Sequence, residues 1–125
     1  MWPQVLAVGL GGALGSCLRF AVAKLIPTPT DGVPWATVAV NLVGCLLIGA
    51  VVGWSAGRDV LDERGRALVV TGFLGGLTTF SAFGLETVRL IESGRTGGAL
   101  AYLAAQLLGG LLAVVIGLWI GRHAL

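Results

Sequence analysis

Four long stretches of this chain carry no Asp, Glu, Lys or Arg: residues 1–18, 32–57, 67–85 and 96–121. Each approaches or exceeds the roughly 20 apolar residues a helix needs to cross a ~30 Å hydrocarbon layer. Hydrocarbon offers backbone N–H and C=O groups no partner, so a stretch of this kind crosses as a helix that pairs its own backbone. The expected fold is therefore an all-α integral membrane protein with four transmembrane helices, over approximately residues 5–26, 35–56, 67–91 and 99–120. Four spans of about 22 residues each leave only short connections in 125 residues, so a single membrane domain over 1–125 is expected. Charged residues make up 11% of the chain, too few for the polar shell of a small soluble domain. The same scarcity excludes disorder, and a net charge of +2 gives no basic footprint for nucleic acid. The first apolar run has no basic n-region and no small-residue cleavage site before Ile26, so it reads as a retained helix.

The connections are short. Pro27-Thr28-Pro29-Thr30-Asp31-Gly32 is a run of turn formers, and Pro34 and Trp35 open the second span. Residues 57–66 form the one strongly charged connection, and Glu92 to Gly98 the last turn. Flanking cations divide almost evenly, with Arg58, Arg64, Arg66 and Arg122 on one side and Lys24, Arg89 and Arg95 on the other. Lys and Arg asymmetry sets orientation in a membrane. Two readings follow: one residue of excess suffices, or both orientations are made and pair as an antiparallel dimer.

Nothing points to an enzyme. The single His123 lies at the C-terminal end, and no CxxC, HExxH or Walker pattern occurs. Cys17 and Cys45 read as small hydrophobes inside spans one and two. Glycines at Gly11/Gly15, Gly49/Gly53 and Gly72/Gly76 have the spacing that lets helix backbones approach closely.

Gly75-Gly76 followed by Thr78-Thr79 marks an expected break at the centre of span three, because paired glycines weaken a helix and hydroxyls can satisfy freed backbone groups. Irregular backbone inside a bilayer survives only where protein buries it or water lines it, and its freed carbonyls can hold a cation. Among the polar residues within the spans, Arg19 either faces protein or water or snorkels to the interface. Thr37 and Asn41, four apart, share a helical face. Phe80 and Phe83 project from one face, and ring edges carry partial positive charge. Such edges beside amide and hydroxyl donors suit a small, hard anion. Glu86 has Arg89 within pairing distance along a helix.

Gly11-Gly12-Ala-Leu-Gly15 with Arg19, Val40-Asn41 with Gly44, and Gly72-Phe-Leu-Gly-Gly-Leu-Thr-Thr-Phe-Ser-Ala-Phe83 together resemble the Fluc (CrcB-type) fluoride channels across essentially the whole chain. That resemblance implies an antiparallel, dual-topology homodimer in the cell membrane, with two pores that passively export fluoride. It implies that Asn41 donates into the pore, that Phe80 and Phe83 supply aromatic edges, and that Thr79 lies beside them. Ser81 and Tyr102 belong to the same implied fluoride pathway, and Arg19 is similar to the family's vestibule arginine. The backbone carbonyls of Gly75 and Thr78 from both copies would hold a structural Na⁺ at the dimer centre. The chain departs from the family pattern at Ala82, where many relatives carry Ser or Thr, and lacks fourth-span hydroxyls near Gln106 and Gly110.

Two other classes compete. A small dual-topology drug/proton antiporter needs an embedded carboxylate, normally in the first span, and this first span has none. A noncatalytic assembly subunit accounts for the glycines but leaves Arg19, Asn41 and the Thr-Thr-Phe segment unexplained.

Overall fold

The computed structural model describes residues 1–30 and 32–125; Asp31, in the turn expected after span one, lies outside the described residues. Helix α1 covers Trp2–Leu25 and α2 covers Trp35–Ser55. The third span is two helices: α3 over residues 63–77 and α4 over Phe80–Glu92. Helix α5, Thr96–His123, completes the chain. All four spans are long and apolar enough to cross a membrane.

The third and fourth helices reach further into the polar connections than the charge-free runs suggest. Asp62 explains one case: its side chain accepts the Gly65 N–H at 2.8 Å, capping a helix that starts inside the charged connection. At the other end of that span the chain turns through Ser93 and Gly94, whose φ of +77° is the left-handed geometry that suits glycine. Within α3 the segment Ala67–Leu74 is wound as a π-helix, and Ala105–Gly109 of α5 forms a second wide π turn.

The helices associate as two close pairs, α1 with α3 and α2 with α5. Lipid tails give no hydrophobic drive between helices, so contact distance decides the pairing, and glycine sets that distance. A Cβ on Gly11 or Gly15 would overlap the Leu68 or Phe73 carbonyl of α3, and one on Gly76 would sit 2.5 Å from the Gly12 carbonyl oxygen. The second seam pairs Gly49 and Gly53 with Gly117 and Gly121, whose added Cβ atoms would run into the Leu46 and Ala50 carbonyls.

The expected break at the centre of span three is present, at Thr78 and Thr79, whereas Gly75–Leu77 ahead of it remain helical. Gly76 is needed for backbone contact with α1, which a helix supplies better than a loop.

Between the pairs, buried side chains gather in two clusters. Val33, Val38, Phe83, Leu90, Ala99 and Tyr102 form one, and Val40, Leu74 and Leu77 form the other. The break at Thr78 and Thr79 lies in sequence between the third-span members of the two, Leu77 on one side and Phe83 on the other. Both cysteines are free, Cys17 exposed and Cys45 half-buried.

Candidate functional site

Thr78 (φ −83°, ψ 158°) and Thr79 (φ −150°, ψ 120°) are extended, so two helix ends face each other within one span. A continuous helix would give the Gly75 carbonyl the Thr79 N–H and the Thr78 carbonyl the Ala82 N–H. Instead the Thr79 N–H donates to Asn41 Oδ1 at 2.8 Å, and the Ala82 N–H donates to Thr79 Oγ1 at 3.2 Å. The Gly76 carbonyl is taken by the Arg19 Nε–H at 3.1 Å, with Ser16 Oγ at 3.5 Å. Arg19 thus spends its charge on the carbonyl end of α3, where a helix is partially negative. The opposing end, the start of α4, is the partially positive one, and Thr79 caps it.

Asn41 carries the other side of the break. Its Nδ2 donates to the Thr79 carbonyl at 3.1 Å while its Oδ1 accepts from the Thr79 N–H. A backbone N–H only donates and a carbonyl only accepts, so the amide can face Thr79 in one orientation. The second Nδ2 hydrogen goes to Gln106 Oε1 at 3.0 Å. Both donors expected to point into a pore are therefore committed within the protein.

Gln106 sits on the π turn of α5 and is followed along the bundle by a second polar group. The Glu86 carboxylate accepts from Thr37 Oγ1 at 3.0 Å and from the Tyr102 hydroxyl. The expected pairing of Glu86 with Arg89 is replaced by these two hydroxyls, because α4 turns Glu86 inward towards α2 and α5. Tyr102 is fully buried, and Thr37 nearly so.

The two rings behave differently. Phe83 is 7% exposed and lies between Phe80 and Tyr102, with ring centroids 5.5 and 5.6 Å away. Both contacts are tilted, the geometry in which ring edges approach ring faces. Phe80 is 80% exposed and stands out from the chain. Together with Asn41, Gly44, Thr78, Thr79 and Gln106, both rings line a cavity of about 320 Å³.

Of the residues singled out in the sequence, Asn41, Gly75, Thr78, Thr79, Phe80 and Phe83 all border this cavity. Ser81 lies at its margin, exposed, with its Oγ 3.4 Å from Thr79 Oγ1. Arg19 approaches from α1 through Gly76, and Tyr102 is reached through Phe83. Sequence reasoning underrated Glu86 and Gln106, each polar and each within a span, which was the available signal. It also passed over Gly117 and Gly121, whose four-residue spacing was readable. His123 is exposed at the end of α5, stacked on Trp119 and bonded to its carbonyl at 2.9 Å.

A helical membrane protein whose third span is broken, with the break sealed by side chains from two other spans, belongs to the class of channels and transporters. The chain matches the family described as "CrcB-like protein, Camphor Resistance (CrcB)" over residues 6–118, and it belongs to that family. A protein of Pseudomonas fluorescens named "Fluoride-specific ion channel FluC" is 48% identical over 124 residues, 94% of this chain and 96% of the relative. One of the same name from Azotobacter vinelandii is 51% identical over 114 residues, covering 90% and 92% of the two chains. "Fluoride-specific ion channel FluC 2" of Nocardia farcinica is 43% identical over 120 residues, 96% of this chain and 86% of the relative.

Proposed function

We infer that this protein is a fluoride-selective ion channel that passively exports fluoride across the cell membrane and lowers its cytoplasmic concentration. It is not an enzyme. The observation that carries the reading is the arrangement at the break: neutral amide and hydroxyl groups, two aromatic rings and a positive helix end around one cavity. Fluoride is small and strongly hydrated. A pathway must replace its water with donors at little net cost and still release it. Neutral donors and ring edges meet both demands, whereas a buried fixed cation would trap the ion.

The working form is an antiparallel homodimer with dual topology. Four helices do not readily enclose a pore, and the cavity lies beside Phe80, which is 80% exposed. The near-even split of flanking cations supports insertion in both orientations. Asn41, Thr79, Phe80, Ser81, Phe83, Arg19 and Tyr102 form the fluoride pathway. The carbonyls of Gly75 and Thr78 lose their helical donors at the break, so their chemistry fits a Na⁺ shared by the two copies. That ion would hold the broken spans of the two copies in place. Fluoride efflux from liposomes containing the purified chain tests the reading, and a flux that needs a counter-substrate would overturn it. The antiporter reading lacks its first-span carboxylate, and the one embedded carboxylate, Glu86, is held by Thr37 and Tyr102.

A further inference from the structure

A second cavity, of about 360 Å³, opens at the end of the bundle where the α1–α2 turn meets the α4–α5 turn. Its walls include Thr28, Gly32, Glu86, Arg89, Ser93 and Arg95. Both arginines are exposed, one in the last turn of α4 and the other just ahead of α5. Arg95 lies folded against the α1–α2 turn, since a Cβ on Gly32 would overlap its guanidinium. Gly32 also has a φ of +77°, so glycine suits this position on both counts. Glu86 is the carboxylate on the wall, and its oxygens accept from Thr37 and Tyr102 rather than from Arg89, three residues further on.

This cavity is joined to the one at the break. Phe83 lines the cavity at the break, and its ring centroid lies 5.6 Å from that of Tyr102. The Tyr102 hydroxyl donates to Glu86, which lines the outer cavity. A chain of contacts thus leads from the aromatic rings to the end of the bundle. We propose that Arg89 and Arg95 form an anion-collecting mouth on the fluoride pathway, drawing fluoride from solution into the cavity that Glu86 and Tyr102 link to the break. The proposal rests on the fluoride-channel reading. Low-dielectric walls focus the field of charges at the rim of a cleft and raise the local concentration of the counter-ion. Exposed guanidinium groups stay hydrated, so they attract an anion without trapping it. Arg19 has a different place, with its Nε–H bonded to the Gly76 carbonyl at the break.

The test compares fluoride efflux from phosphatidylcholine liposomes containing the full-length wild-type chain, Arg89→Gln/Arg95→Gln or Arg89→Lys/Arg95→Lys. At ~0.01 M salt the Debye length is ~30 Å, and the glutamine pair should slow efflux by about threefold or more while the lysine pair does not. In ~1 M potassium gluconate it is ~3 Å, and all three chains should conduct alike. Equal rates at ~0.01 M salt overturn the proposal. A deficit of the glutamine pair that persists at ~1 M salt also overturns it, because a screened attraction does not produce one. A lysine pair as slow as the glutamine pair does the same, since charge would then not be what matters. A wild-type rate that tracks added phosphatidylglycerol, with the glutamine pair unresponsive, assigns the arginines to a lipid phosphate instead. Absence of fluoride efflux from the wild-type chain at either salt concentration overturns the channel reading itself.

Discussion

The Asn41 side chain pairs with both backbone groups of Thr79, accepting its N–H at 2.8 Å and donating to its carbonyl at 3.1 Å. A residue 38 positions away thereby supplies what the interrupted helix withholds. The break is held open by a specific pair of hydrogen bonds, and the cavity beside it depends on them.

Asn41→Ala leaves a half-buried N–H and C=O of Thr79 without partners. The expected destabilisation is about 2 kcal/mol or more, read as a lower unfolding temperature in detergent, with fluoride efflux strongly reduced. Asn41→Asp keeps the acceptor for the Thr79 N–H but offers no hydrogen to the Thr79 carbonyl or to Gln106, so efflux should fall here too. Wild-type stability of Asn41→Ala would remove its part in the break.

The two rings should separate by readout. Phe83 is buried against Tyr102, so Phe83→Ala should cost about 3 kcal/mol or more, measurable by thermal unfolding. Phe80 is exposed within the chain, so Phe80→Ile should leave subunit stability nearly unchanged while severely reducing fluoride efflux. Wild-type efflux from Phe80→Ile would take that ring out of the pathway.

The glycine seams predict a position-specific tolerance. Gly15→Val and Gly117→Val force side-chain carbon into a neighbouring backbone carbonyl and should abolish folded protein in detergent extracts. Gly84→Ala and Gly97→Ala meet nothing within 4 Å and should express and elute as wild type. Equal behaviour of the two sets would mean that close approach is not what these glycines provide.

Sodium should act on stability as well as on flux. If the Gly75 and Thr78 carbonyls hold the proposed Na⁺, its binding should stabilise the folded protein by mass action. Replacing Na⁺ with a bulky organic cation should lower both the unfolding temperature and fluoride efflux, and restoring Na⁺ should recover them. Indifference of both readouts to Na⁺ would argue against the site.

Much of this architecture was legible because a bilayer makes harsh demands. Charge-free runs of the required length have one stable solution, so four spans could be read directly, and the Thr-Thr-Phe segment marked the third as special. The break was legible within the Gly75–Thr79 run, but not that its two glycines would stay helical. Glycine weakens helices in water, which drew attention to Gly75 and Gly76, but between membrane helices the same residue promotes contact, as Gly76 does against Gly12. Thr78 and Thr79 are extended because Asn41 on another helix makes that conformation affordable, and no local pattern records a partner so distant. Glu86 was misread for a similar reason. Arg89 is near in sequence, whereas Thr37 and Tyr102 become neighbours only when α2, α4 and α5 pack.

The central claim is tested most directly by net fluoride movement from liposomes containing the purified chain, with K⁺ made permeant to balance charge and no other substrate present. The account predicts rapid fluoride efflux under these conditions, with chloride retained under the same gradient. Fluoride release that appears only with a counter-substrate or a proton gradient, or chloride release at a comparable rate, would contradict it.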